Sequence, residues 1–156
     1  MSKWSEMYAD KLTTPAEAMK DIKDGDKVWA SGGSSTPVAL MEALFNRAGE
    51  LKDVMFGSYI MLAPTAQIMQ AETQRNILVD NYYATPLDRG FLAQGLMTHT
   101  PYNFHLLSRT ATLNSGYHKL LIQTGPMDEN GYLNQGLFAN FLDVIERLGE
   151  VYVEVN

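Results

Sequence analysis

Cysteine is absent from the 156-residue chain. That excludes a thiol nucleophile, a disulfide framework and thiolate-ligated zinc. Histidine is scarce. His99, His105 and His118 show no HExxH or other recognised ligand spacing, so a metal site has little support and no Ser-His-Asp arrangement is evident. Net charge is −6 and no run of Lys or Arg occurs, which speaks against a nucleic-acid partner. No apolar stretch approaches the length of a bilayer span, so no membrane partner is expected. Met1-Ser2-Lys3-Trp4-Ser5-Glu6 lacks the apolar core of a signal peptide, and a cytoplasmic location is the expectation. Against these absences, 46% of residues are apolar, enough for the core of one domain.

Strand-like and helix-like segments alternate along the chain. Thr14-Pro15-Ala16-Glu17 has the order of a helix start: a capping Thr, Pro at the first helical position and Glu to complete a capping box. Asp24-Gly25-Asp26 reads as a turn, followed by a short strand over Lys27 to Ser31. A second helix is expected from Thr36-Pro37, with Val38, Met41, Leu44 and Phe45 on one face. Further strands are expected over Val54 to Leu62, Asn76 to Asp80, Lys119 to Gln123 and Glu150 to Val155. Pro64 to Glu72 reads as a helix, Thr85-Pro86-Leu87-Asp88 as another helix start, and Phe138, Phe141, Leu142, Ile145 and Leu148 as one helical face. Such alternation predicts an α/β fold, a mostly parallel open sheet covered by helices, with ligands at the carboxyl ends of the strands.

Two loops at that edge are the candidates for binding. The first is Ser31-Gly32-Gly33-Ser34-Ser35-Thr36-Pro37, between a strand and a helix. Its glycines let a ligand approach the backbone, and amides at a helix start can hold an anion or a carbonyl oxygen. It is neither a P-loop nor a GxGxxG fingerprint, and locally a tight turn with a Thr cap and Pro at N1 accounts for it as well or better. The second is Gly125-Pro126-Met127-Asp128-Glu129-Asn130-Gly131-Tyr132, which locally reads as a β-turn. Asp128 and Glu129 are adjacent and splay apart, so they make no evident acid/base pair. Tyr82, Tyr83, Arg89, His99 and His105 are weaker candidates, each explained by core packing or a solvated surface.

The ordered set of motifs resembles the acetyl-CoA hydrolase/transferase family. It comprises Trp4, Tyr8 and Lys11; the helix from Thr14; Gly25-Asp26; Gly32-Gly33 through Pro37; Leu40 with Ala43-Leu44; Leu51-Lys52-Asp53-Val54; Pro126-Met127-Asp128-Glu129-Asn130-Gly131-Tyr132 with Gly136; and Glu154-Val155-Asn156. Met127 and Asn130 depart from that pattern, which has Pro and His there. The resemblance covers nearly the whole chain and implies a CoA-transferase-like (NagB/RpiA-like) domain, residues 1–156, incomplete at its carboxyl-terminal end. It implies CoA as substrate rather than as a fixed cofactor, with acyl-CoA and a short-chain carboxylate such as acetate, butyrate or 4-hydroxybutyrate as partners. It further implies a nucleophilic glutamate in a carboxyl-terminal half or partner chain outside these residues, so none of Glu17, Glu42 and Glu129 is assigned that role. A homo-oligomer is expected. Gly32, Gly33, Ser34, Ser35, Thr36, Pro37, Pro126, Asp128, Asn130 and Gly131 are expected to border the acyl-transfer site. Gly33→Val is expected to lower turnover more than stability.

Overall fold

The computed structural model describes residues 3–61, 70–137, 141 and 143–156. Six strands form one sheet: β1 Lys27–Ala30, β2 Val54–Ser58, β3 Ile77–Asn81, β4 Thr98–His99, β5 Lys119–Thr124 and β6 Glu150–Val155. Their order is β4-β3-β2-β1-β5-β6, and every neighbouring pair is parallel. The parallel α/β sheet expected from the alternation is therefore the fold. The chain steps outward from β1 to β4, then returns to the other side of β1 for β5 and β6. That reversal is a topological switch point, where open parallel sheets leave a crevice beyond the carboxyl ends of the strands.

Among the described residues six α-helices are interspersed: α1 Lys3–Ala9, α2 Pro15–Ala18, α3 Val38–Asn46, α4 Ala71–Asn76, α5 Pro86–Ala93 and α6 Leu107–Arg109. Alternation along the strands divides the interior into two cores. Val28, Ala30, Phe56, Val79 and Leu121 face one side and meet Leu40, Met41, Leu44 and Phe45 of α3. Trp29, Leu120 and Ile122 face the other and meet Tyr59, Tyr82, Tyr117 and Phe141. Burial on both faces explains why β5 reads as a near-continuous apolar run. Each large apolar side chain so buried contributes about 1.5–3 kcal/mol.

The helix start at Thr85 forms as the sequence predicts; at Thr14 the Thr cap and Pro15 stand where expected, but the capping box does not close, because the Glu17 carboxylate accepts from Lys20 Nζ at 2.6 Å instead. Thr14 Oγ1 accepts from the Glu17 amide at 3.2 Å, and Thr85 with Asp88 makes a reciprocal capping box. The start of α3 differs. Thr36 closes a 3₁₀ turn over Gly33–Ser35 and donates its hydroxyl to the Gly33 carbonyl at 2.7 Å, so Pro37 stands at the cap position. The cap comes from β6 instead: Glu154 Oε2 accepts from the Leu40 amide at 3.1 Å, placing a carboxylate at the positive end of the helix.

Other boundaries shift for local reasons. β2 ends at Ser58, and the chain turns at Ile60, whose φ is +44°. The helix expected over Pro64 to Glu72 falls largely outside the described residues; Glu72 itself belongs to α4. The helix expected over Phe138 to Leu148 does not form among the described residues, where a 3₁₀ turn at Ile145–Arg147 stands instead. Phe141 has φ +67°, which interrupts a right-handed helix, and its ring packs against Trp29 at 5.4 Å between centroids. Among the described residues of this stretch, Phe141 and Val144 are buried without forming a helix.

A charged cluster locks the amino ends of β1, β5 and β6. Lys119 Nζ lies 3.1 Å from Asp26 Oδ2 and 2.8 Å from Glu150 Oε2, and donates to the Asp21 carbonyl at 2.9 Å. Burial alone would depress the lysine, but its bonds to Glu150 and Asp26 outweigh burial and hold it above its ordinary range. Burial likewise pushes the Asp26 carboxyl up, yet the Lys23 amide, Lys119 and His118 together bring it below its ordinary value. Stability from Asp26 is therefore present above the ordinary carboxylate range and lost as pH falls through its lowered pKa. The lysine's share is present below its ordinary range and lost only as pH rises through its raised pKa. Lys119→Ala is expected to cost about 3 kcal/mol in urea unfolding at neutral pH, because Asp26 and Glu150 lose the cation they share and the partly buried Asp26 keeps only the Lys23 amide and His118. The variant should also lose much of the wild type's decline in stability between about pH 5 and pH 3.

Candidate functional site

The loop after β1 is held from below. Gly32 lies so close to the chain after β2 that a Cβ there would sit 1.7 Å from the Tyr59 carbonyl oxygen. The Gly33 amide donates to the Ile60 carbonyl at 3.0 Å, and Gly33 has φ +59°. Gly32, Gly33, Ser35, Thr36 and Pro37 are buried, while Ser34 is exposed. The glycines thus shape the loop, and Ser34 is the residue it presents. The left-handed φ corrects one expectation: Gly33→Val strains the backbone itself, so it lowers stability as well as access.

The loop after β5 begins at Gly125, whose amide donates to the Asn134 carbonyl at 2.9 Å. Asp128 organises its tip. Asp128 Oδ1 accepts from the amides of Asn130 at 2.9 Å and Tyr132 at 2.8 Å. Gly131, at φ +88°, lies under the Trp4 indole, which a Cβ would approach to 2.7 Å. This packing accounts for Trp4, Asp128 and Gly131 within one turn.

The two loops meet at the switch point. Ser35 Oγ donates to the Gln135 carbonyl at 3.0 Å, and the Asn156 amide donates to the Thr124 carbonyl at 3.0 Å. Between them lies a cavity of about 270 Å³, lined by Ser34, Ser35, Gln123, Thr124, Gly125, Asn134, Gln135, Gly136, Leu137 and Asn156. Of the residues singled out from sequence, Ser34 and Ser35 line it. Gly32, Gly33, Thr36 and Pro37 form the rest of the same loop. Pro126, Asp128, Asn130 and Gly131 make the adjoining turn and are not among its lining residues. Sequence reasoning missed Gln123, Asn134, Gln135 and Asn156. The available signal was the polar end of an apolar strand at Gln123 and the Asn-x-Gly turn, in which Asn134 Oδ1 accepts from the Gly136 amide at 2.7 Å.

Every described side chain lining this cavity is uncharged. No glutamate is among them. Glu154 is turned to the start of α3, and Glu129 is exposed on the turn. Lys27 and Lys119 begin strands, and Lys20, Lys23, Lys52, Arg75 and Arg147 stand in segments that lead into strands, at the opposite edge of the sheet. Lys3 is engaged over the Trp4 ring at 4.8 Å. Two larger hollows lie elsewhere. One of about 440 Å³ is at the amino ends of β2 and β3, beside Lys27, Asp53 and Arg75, away from the edge where parallel sheets bind ligands. The other, about 690 Å³, runs along β6 beside Tyr8, Leu12 and Leu40.

The family model for the acetyl-CoA hydrolase/transferase N-terminal domain matches residues 1–156. The chain belongs to that family. Curated relatives include a butyryl-CoA:acetate CoA-transferase of Anaerostipes caccae, 28% identical over 98% of this chain and 35% of that protein. A succinyl-CoA:cyclohexane-1-carboxylate CoA transferase of Geobacter metallireducens is 26% identical over 96% of this chain and 34% of its own length. The crystal structure of RipA from Yersinia pestis superposes with a TM-score of 0.87 at 26% identity, over 99% of this chain and 38% of that one. The family domain therefore spans about a third of the length of the curated relatives it matches. Among the described residues no helix is long and apolar enough to cross a membrane.

Proposed function

We propose that this chain is the acyl-side part of a CoA-transferase that moves CoA between an acyl-CoA and a short-chain carboxylate of the acetate, butyrate or 4-hydroxybutyrate type. The carrying observation is the cavity at the switch point, bounded by both candidate loops, with hydrogen-bonding side chains and no nucleophile of its own. Such a site can hold and orient an acyl group, but the covalent step needs a carboxylate from outside it. Its lining also offers no cation for the phosphates of CoA, which fits a nucleotide end held by other polypeptide.

In the proposed reaction a glutamate on the completing polypeptide attacks the thioester carbonyl and expels CoA as thiolate, leaving an acyl-glutamyl anhydride. The thiolate then attacks the glutamyl carbonyl, releasing the first carboxylate and forming a glutamyl-CoA thioester. A second carboxylate takes CoA by the reverse steps. Splitting the transfer this way replaces one difficult displacement by easier ones. Ser34, Ser35 and the amide side chains hold the acyl group in place during these steps.

The test uses the enzyme assembled from this chain and the polypeptide that completes it. Ser34→Trp fills the cavity from an exposed position. CoA exchange between acetyl-CoA and butyrate should fall at least about tenfold while the melting temperature stays within about 2 °C. Unchanged exchange in the folded variant removes the cavity from the site. Release of free CoA without an acceptor would mark a hydrolase, in which water captures the anhydride. Binding with no turnover under any condition would mark a ligand-binding domain on the same scaffold.

A further inference from the structure

Among the described residues three helices follow a Thr-Pro pair, and one of them is built differently. At Thr14-Pro15 and Thr85-Pro86 the Thr hydroxyl accepts from the amide three residues on, at 3.2 and 3.3 Å. The Thr carbonyl accepts from the amide four residues on, that of Ala18 at 2.9 Å and of Arg89 at 3.1 Å. Thr36-Pro37 has the same order and an extended Thr, with φ −68° and ψ 118°. An ordinary start would give Thr36 Oγ1 the Ala39 amide and the Thr36 carbonyl the Leu40 amide. The structure directs both elsewhere. Glu154 Oε2 takes the Leu40 amide from β6, and the Thr36 hydroxyl turns back to the Gly33 carbonyl. Helix α3 therefore begins one residue late, at Val38, after a Pro37 whose ψ of 78° is not helical.

We infer that Glu154 is a positioning residue for the acyl site, acting through the start of α3. By holding the Leu40 amide it denies Thr36 the ordinary cap geometry. The Thr36 hydroxyl and amide then both close on the Gly33 carbonyl, at 2.7 and 3.3 Å, and fix the 3₁₀ turn that presents Ser34. The same turn places Ser35 Oγ 3.0 Å from the Gln135 carbonyl. Two residues beyond Glu154, Asn156 lines the cavity, so the end of β6 both supplies a wall and sets the adjoining loop. Without the Glu154 carboxylate the Leu40 amide lacks its acceptor, which is costly, and the local Thr-Pro pair offers the replacement. The helix then starts on Thr36, the Gly33 turn opens, and Ser34 and Ser35 leave their places. The fold exchanges one cap for another, while the site loses its geometry. This inference rests on the acyl-site reading above.

The experiment measures kcat and KM for butyrate, with acetyl-CoA as donor, in the assembled enzyme. Glu154→Ala should lower kcat about tenfold or more with KM within about threefold, because orientation is lost while the lining remains. Its melting temperature should fall by less than about 4 °C, since Thr36 replaces the lost cap. Glu154→Gln keeps an acceptor oxygen at the same reach and should retain at least about a third of the wild-type kcat. Should the alanine variant fold poorly, Glu154→Asp gives a second reading. It keeps the charge, falls short of the Leu40 amide and should lower kcat at least about threefold. Wild-type kcat in the folded alanine or aspartate variant would overturn the inference. So would a loss carried by KM alone, or a glutamine variant as slow as the alanine one. If Ser34→Trp leaves exchange unchanged, the acyl-site reading itself fails. A slow Ser34→Trp enzyme beside a normal Glu154→Ala enzyme defeats only the role of Glu154.

Discussion

Gly32→Ala should cost about 3 kcal/mol or more in stability, and Gly32→Val should leave little folded protein at 37 °C. The reason is spatial rather than conformational. Gly32 has φ −109°, which any residue adopts. Its Cα faces the Tyr59 carbonyl, and an added Cβ would sit 1.7 Å from that oxygen and 2.8 Å from its carbon. Those are backbone atoms, and the neighbouring Ile60 carbonyl already accepts the Gly33 amide at 3.0 Å. Relief therefore requires the segment after β2 to move away from the segment after β1, at the end of the sheet where the cavity lies. Urea unfolding of the Gly32→Ala chain measures this directly. A loss below about 1 kcal/mol would mean that the two segments part easily. Gly25→Ala is the control: with φ +77° and no atom within 4 Å of its Cβ, it should cost about 1 kcal/mol from backbone strain alone.

Much of the architecture was legible because local chemistry and tertiary structure agree. Thr14-Pro15 and Thr85-Pro86 cap helices through contacts three residues away, which sequence spacing encodes. β5 is buried on both faces and is flagged by its apolar run. Where tertiary contacts decide, sequence reading misplaced the feature. Thr36 has the spacing of a cap, but Gly33 takes its hydroxyl and Glu154, more than a hundred residues away, caps the helix. The two-residue strand β4 carries no periodicity. It exists because Thr98 and Thr100 donate hydroxyls to the buried carboxylate of Asp80, at 2.9 and 2.7 Å.

The candidate site was legible as two loops at one edge of the sheet, not as a cavity. The Gly-Gly sequence drew attention to backbone access, yet the structure gives those glycines to loop-on-loop packing and leaves Ser34 facing outward. Asp128 and Asn130 have the look of functional polar residues, but Asp128 holds its own turn. Gln123, Asn134 and Asn156 line the cavity because strand ends and an Asx turn converge there. No local pattern in the sequence announces such convergence.

The central claim is that these residues hold the acyl group while the nucleophile lies in other polypeptide. The most direct measurement is CoA exchange between acetyl-CoA and butyrate by the purified 156-residue chain, its mass confirmed, alone and after addition of the remainder of a full-length transferase. No described side chain lining the cavity is a carboxylate, an imidazole or a thiol. The hydroxyls of Ser34, Ser35 and Thr124 have no side-chain base among that lining, and a serine hydroxyl without one is a weak nucleophile. The isolated chain should therefore exchange CoA no faster than the uncatalysed mixture, and exchange should rise at least about 1,000-fold when the completing polypeptide is supplied. Substantial exchange by the isolated chain would contradict the account, placing a competent nucleophile within these residues.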